Sequence, residues 1–218
     1  NLVSGVITQK QGGSVSSLVY AENGSTVNMR GGYVCGASGS GAGGGIEIRD
    51  NSSLNVSGGV IAGNSAYSGG GVHANASTVT ITNGVISGNS TLDSAGFGGG
   101  IMAEYGGSVT VSGGYITNNK YAKFCGEDGN GDHGGAGLAA NNGAHVTISG
   151  GQITGNYSEE AGGGVYVTDL GRDGSRKDMA WLNITGGIIA SNVSYRSEGA
   201  GIRVGQMVDA MIGDATSS

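Results

Sequence analysis

One unit returns along the whole chain: a short alternating strand, a turn ending in Asn, and a Gly-rich entry to another strand. Aligned on the Asn, the copies read VIAGN to Asn64, VISGN to Asn89, YITNN to Asn119, QITGN to Asn156 and IIASN to Asn192. The alternating segments before them are SLNVSGG (53–59), STVTITNG (77–84), SVTVSGG (108–114), HVTISGG (145–151) and WLNITGG (181–187). The Gly-rich entries after them are GGGVHA (69–74), GGGIMA (98–103), GGAGLA (134–139), GGGVYV (162–167) and GAGIRV (199–204). A weaker copy precedes these, with STVNMRGGYV (25–34) and GGGIEI (43–48), and a decayed half-copy opens the chain at LVSGVIT (2–8). Repetition at this period is the mark of a solenoid.

No segment keeps a helical period, and the apolar residues alternate as they do in strands. Val79 and Ile81 point one way while Thr78, Thr80 and Thr82 point the other. A single repeat cannot bury its own apolar face, whereas stacked coils close a continuous Val/Ile interior. The expected fold is all-β: a single-stranded right-handed parallel β-helix of about seven coils, with three short strands each. Right-handedness follows from the strong preference of crossovers between parallel strands. The whole of 1–218 reads as one domain, with a degenerate first coil at 1–24, regular coils over 25–204 and an end segment at 205–218.

The recurrent Asn fits this fold. Inward amides one coil apart, about 4.8 Å per step, can hydrogen-bond as a ladder. The predicted ladder is Asn64, Asn89, Asn119, Asn156 and Asn192. Its spacings are 25, 30, 37 and 36 residues. The growth falls in two loop sites, one after the Asn and one after the Gly-rich strand. Constant coils with variable loops suit a scaffold that carries function on those loops.

The chain holds 49 Gly and no Pro, which excludes collagen and Pro-rich linkers. Its net charge is −6, and the ten basic residues are scattered, so no nucleic-acid partner is expected. No stretch reaches transmembrane length, so no membrane insertion by this segment is expected. The start at Asn1-Leu2-Val3 falls inside a degenerate coil, and a mature or excised piece of a longer chain is expected. Polar Gly/Ser/Thr/Asn coils suit secretion or the cell surface. Cys35 and Cys125 lie about three coils apart, roughly 14 Å of stacking, whereas a disulfide needs Cα atoms within about 7 Å. Two free thiols are expected unless the long loop folds back.

Candidate chemistry gathers in three places. In the insertion Lys120–His133, Asp128, Asn130 and Asp132 alternate oxygen donors with Gly, as in the first half of a Ca²⁺ loop. Glu127, or Glu159 and Glu160 one coil on, would complete the sphere; the bland alternative is a plain Gly/Asp turn. Zn²⁺ on His133 and Cys125 is a thinner option with two ligands in view. Six of the twelve aromatics (Tyr67, Phe97, Tyr121, Phe124, Tyr157 and Tyr195) lie in loops after the ladder Asn. Tyr121, Phe124, Tyr157 and Tyr195 are the predicted ligand-binding set, and rings that merely cover the coil flank are the alternative. On the outward face of the Gly-rich strands, Glu47, Arg49, His73 and Glu104 form the acid/base set a lyase or hydrolase would use. More often such residues are a solvated face.

The pairing of Ile-x-x-Asn, as in Ile61…Asn64 and Ile86…Asn89, with Gly-Gly-Gly-Ile/Val resembles the polymorphic outer-membrane protein repeat. The resemblance covers about residues 25–204, with Ile where that family has Phe and without a membrane-anchoring barrel. It implies a β-helical passenger on a bacterial surface, tied to adhesion. The chain also resembles the wider pectin-lyase-like group, which includes polysaccharide-degrading enzymes and phage tailspikes. Fold of this kind does not fix function. The expectation is an adhesin-like or structural module, not an enzyme, with glycans or host-surface molecules as partners. A polysaccharide lyase or hydrolase is the alternative, and a rod associating end to end is the second.

Overall fold

The computed structural model describes residues 1–10, 13–92, 96–122, 133–169 and 179–213. Among these residues every regular element is a strand. The strands form three sheets of nine, seven and five members, and the pairs that carry the coils run parallel. This is an all-β parallel solenoid. One coil shows the path. Thr78–Ser87 lies in the first sheet, Ser90–Thr91 in the third and Ile101–Glu104 in the second, and Ser108–Val111 returns to the first one step along.

The strands divide differently from the sequence reading. The alternating segment and the apolar run after it fuse into one ten-residue strand in Ser53–Ala62, Thr78–Ser87 and His145–Thr154. The Gly-Gly pair between them (Asn83-Gly84 in Thr78–Ser87) bends the backbone and does not break it: the register between neighbouring long strands shifts there, around Val56–Val60 and again around Ile148–Gln152. The remaining strand is a two-residue piece directly after the Asn, such as Lys120–Tyr121 or Tyr157–Ser158.

Register stacks like residues on like. Ile46, Val72, Ile101, Leu138 and Val165 pair in sequence along the second sheet, and Leu54, Val79, Val109, Val146 and Leu182 along the first. All are buried in one continuous core. Because each apolar column meets its own kind one coil away, branched side chains interdigitate with little void, and each buried aliphatic contributes roughly 1.5–3 kcal/mol.

The Asn residues form the expected ladder. Asn89 Oδ1 accepts from both the backbone N–H and Nδ2 of Asn64, at 3.1 and 3.0 Å. Asn89 in turn donates through both groups to Asn119 Oδ1, and its Nδ2 also donates to the Ile61 carbonyl at 3.0 Å. The rungs from Asn119 to Asn156 and from Asn156 to Asn192 repeat this geometry. At the other end the Ala37 N–H donates to Asn64 Oδ1.

The third Gly of each entry explains why Gly-rich motif and Asn occur together. A Cβ on Gly100 would sit 2.5 Å from the Gly137 carbonyl oxygen and 3.0 Å from Asn119 Nδ2. Gly71 meets Gly100 O and Asn89 Nδ2 in the same way, at 2.6 and 2.9 Å. The ladder can pass this close to the next wall only where the wall has no side chains. Cys35 is half-buried and has no disulfide partner among the described residues; Cys125 lies outside them.

Candidate functional site

The second sheet alternates strictly. Ile46, Val72 and Ile101 point into the core, while Glu47, His73 and Met102 form the next column, facing outward. The acid/base set is brought together here. Arg49 Nη2 lies 2.6 Å from Glu47 Oε1, and His73 Nε2 lies 3.0 Å from Glu104 Oε1. His73 Nδ1 is 3.9 Å from Glu47 Oε1, Asn75 Nδ2 donates to Glu104 at 3.3 Å, and Ser17 Oγ reaches Glu47 Oε2 at 3.5 Å. Burial opposes the Arg49 charge, but the hydrogen bond and attraction of Glu47 outweigh it and raise its pKa above the ordinary value.

The expected solvent-facing cluster is corrected in one respect: Glu47 is 3% exposed and His73 2%. The approach to each second-sheet strand doubles back over its own outward residue. The Cβ position of Gly43 lies 2.7 Å from Glu47 Cβ, and that of Gly69 lies 2.9 Å from His73 Cβ. Farther along, Phe97, Met102, Ala139 and Tyr166 make a second small apolar core on this face. A groove of about 570 Å³ lined by Ser16, Ser17, Tyr20, Gly41, Glu47 and Arg49 opens on one end of the network, and Asn75 and Glu104 are half-buried at the other. Chemically this is a chain of polar contacts among two carboxylates, an Arg and a His, with Glu47 and Arg49 lining the groove.

The aromatic set separates. Tyr121 is 0% exposed, because its register partner in the two-residue strand is Ser158 on the inward column, while Lys120 pairs with Tyr157 on the outward one. It therefore offers no ring face to a ligand. Phe97 is likewise buried, 4.8 Å from the His133 ring and 6.3 Å from Tyr166. Tyr157 and Tyr195 stay outward and stack with ring centroids 6.4 Å apart. Charges surround them. Lys120 Nζ lies 5.3 Å above the Tyr157 ring and the Arg196 guanidinium 5.3 Å above Tyr195, while Glu159 accepts from Tyr157 Oη at 2.9 Å and faces Arg196 Nε at 3.5 Å. Partial desolvation and the bond to Glu159 raise the Tyr157 pKa above the ordinary phenol value. Tyr67 is half-buried beside Leu92 in a groove on the same flank.

Phe124, Asp128, Asn130 and Asp132 lie outside the described residues, as does Glu127. Among the described residues no group of three or more His, Cys, Asp or Glu side chains could hold a metal ion. Glu159 is engaged by Tyr157 and Arg196, and Glu160 is buried. One exposed cluster has no counterpart in the sequence reading: Trp181, His145 and Asp209 on the outer face of the first sheet. Its signal was present, since Trp181 stands at the outward parity of WLNITGG, where every other copy has Ser, Thr or His.

No protein-family model matches this chain, and no curated protein or solved structure matches it significantly. No helix among the described residues is long and apolar enough to cross a membrane.

Proposed function

We propose that this chain is an extracellular or cell-surface β-helix from a bacterium, an adhesin-like or structural module that holds carbohydrate on its third-sheet flank. The observation that carries this reading is the outward Tyr157–Tyr195 stack with Lys120, Glu159 and Arg196 around it. Aromatic faces provide apolar contact for the C–H face of a sugar ring, and the charged rim supplies donors and acceptors for its hydroxyls. The resemblance of the repeats to the polymorphic outer-membrane protein passenger, and to the pectin-lyase-like group more widely, supports the same class. On a glycan array, binding by the parent should fall about tenfold or more in Tyr157→Ala and in Tyr195→Ala. Binding that survives both substitutions places the ligand elsewhere.

The second reading is a polysaccharide lyase or hydrolase, favoured by the groove that reaches Glu47. It expects release of unsaturated or reducing ends from a polysaccharide, abolished by Glu47→Gln. Against it stands the burial of His73 between its two carboxylates. An acid/base pair needs contact with substrate or with one intervening water. A polysaccharide panel that yields no new ends removes this reading.

A further inference from the structure

The first sheet presents an outward column that the flank and the Glu47–His73 network do not use. His145, Trp181 and Asp209 are register partners on three successive strands. Trp181 is the chain's only tryptophan and is 41% exposed. His145 stacks against it with ring centroids 5.8 Å apart and planes 24° from parallel. A shallow groove of about 270 Å³ opens beside it, lined by Trp181, Leu182, Asn183, Asp209 and Met211. His145 is not among these, so the groove borders the indole on the side away from the imidazole. Asn183 pairs in register with Met211 on the neighbouring column, and its Oδ1 is buried without a hydrogen-bond partner.

We propose that this groove is a pyranose-binding subsite for a neutral, β-linked, gluco-configured oligosaccharide. A fixed indole with one open face is a large apolar surface left in water, and a flat ring of C–H groups is the partner it suits. A β-linked gluco-configured pyranose carries every substituent equatorial, so both of its faces are flat C–H surfaces, whereas an axial hydroxyl leaves only one. A ring-edge hydroxyl then donates to the exposed Asp209 carboxylate, an anionic acceptor beside the Asn183 amide. The Asp209 charge and the net charge of −6 disfavour uronic acids. This subsite lies on a different sheet from the Tyr157–Tyr195 flank and does not depend on it.

The single tryptophan makes the test direct. Titration of the intact chain with cellohexaose, and separately with chitohexaose, should shift or quench its emission saturably with at least one of them. Asp209→Ala should weaken that binding about tenfold, the loss of one charge-assisted hydrogen bond. Trp181→Ala should abolish it by calorimetry. Both side chains are exposed, and circular dichroism establishes that the variants keep the fold; if Trp181→Ala does not, Asp209→Ala carries the test. Emission unmoved by both sugars overturns the proposal, as does undiminished calorimetric binding in a folded Trp181→Ala or Asp209→Ala. A response lost in Tyr157→Ala but intact in Asp209→Ala also overturns it, and leaves the flank reading standing.

Discussion

Gly100→Ala is expected to destabilise the fold by about 3 kcal/mol or more, although it adds a single methyl group. The new Cβ would lie 2.5 Å from the Gly137 carbonyl oxygen, whereas Cβ atoms essentially never come within 3.0 Å of a non-bonded neighbour. Gly100 does not sit at positive φ, so alanine can adopt its backbone angles and the whole penalty is steric. No rotamer change relieves it, because the obstacle is backbone of the next coil. Moving that backbone pulls on the Gly137 N–H and on the Asn119 rung, since Gly100 also lies 3.0 Å from Asn119 Nδ2.

The control is Gly106→Ala. Gly106 has φ +75° and nothing within 4 Å of its Cβ position. Alanine there suffers only left-handed strain, about 1–2 kcal/mol. Urea unfolding of the two variants should therefore separate crowding from strain. In a solenoid each coil is supported by its two neighbours, so damage at a middle coil weakens both halves of the stack. Equal midpoints for the two substitutions would remove the close-packing account of the Gly-rich entry.

The same physics explains how much was legible in the sequence. The repeat was readable because each column of the solenoid demands one residue type at every level, and so the Asn, Ile and Gly positions recur. Two facts were not readable. The parity of a two-residue strand cannot be told from two residues, so Tyr121 reads as a loop aromatic although it pairs with inward Ser158. The burial of Glu47 and His73 depends on where the preceding turn lies. That turn folds over the strand because Gly43 and Gly69 adopt φ +65° and +60°, a conformation a sequence permits without announcing. Trp181 is legible by parity alone, since it occupies the column of His145 one coil on, outside the loops after the Asn where the other rings gather. The loop holding Asp128, Asn130 and Asp132 lies outside the described residues, and its Ca²⁺ assignment rests on the alternation of donors and Gly alone.

Asn89→Leu is the second large effect. Leucine matches asparagine in rough size but returns none of its bonds. Asn64 would lose the acceptor for both its backbone N–H and its Nδ2, and the Ile61 carbonyl would lose its donor. Asn119 Oδ1 would keep the Asn89 backbone N–H, at 3.1 Å, so that rung is only half broken. Buried polar groups left without partners cost about 1–3 kcal/mol each. Asn64 Nδ2 keeps its bond to the Val34 carbonyl at 3.0 Å, so two such groups are created, the Asn64 N–H and the Ile61 carbonyl. With the site closed to water, a loss of about 2–5 kcal/mol is expected. The position along the ladder supplies the internal check. Asn192, the last rung, is half-buried, and it too accepts from the N–H and Nδ2 of the preceding Asn, at 3.0 and 2.9 Å. Water can reach that end and re-pair what the substitution frees, so Asn192→Leu should cost no more than about half as much. Equilibrium unfolding of the two variants reads the difference. A ladder that contributed only packing would give equal losses at the two positions, or none, and either result would end the claim that these bonds hold the coils in register.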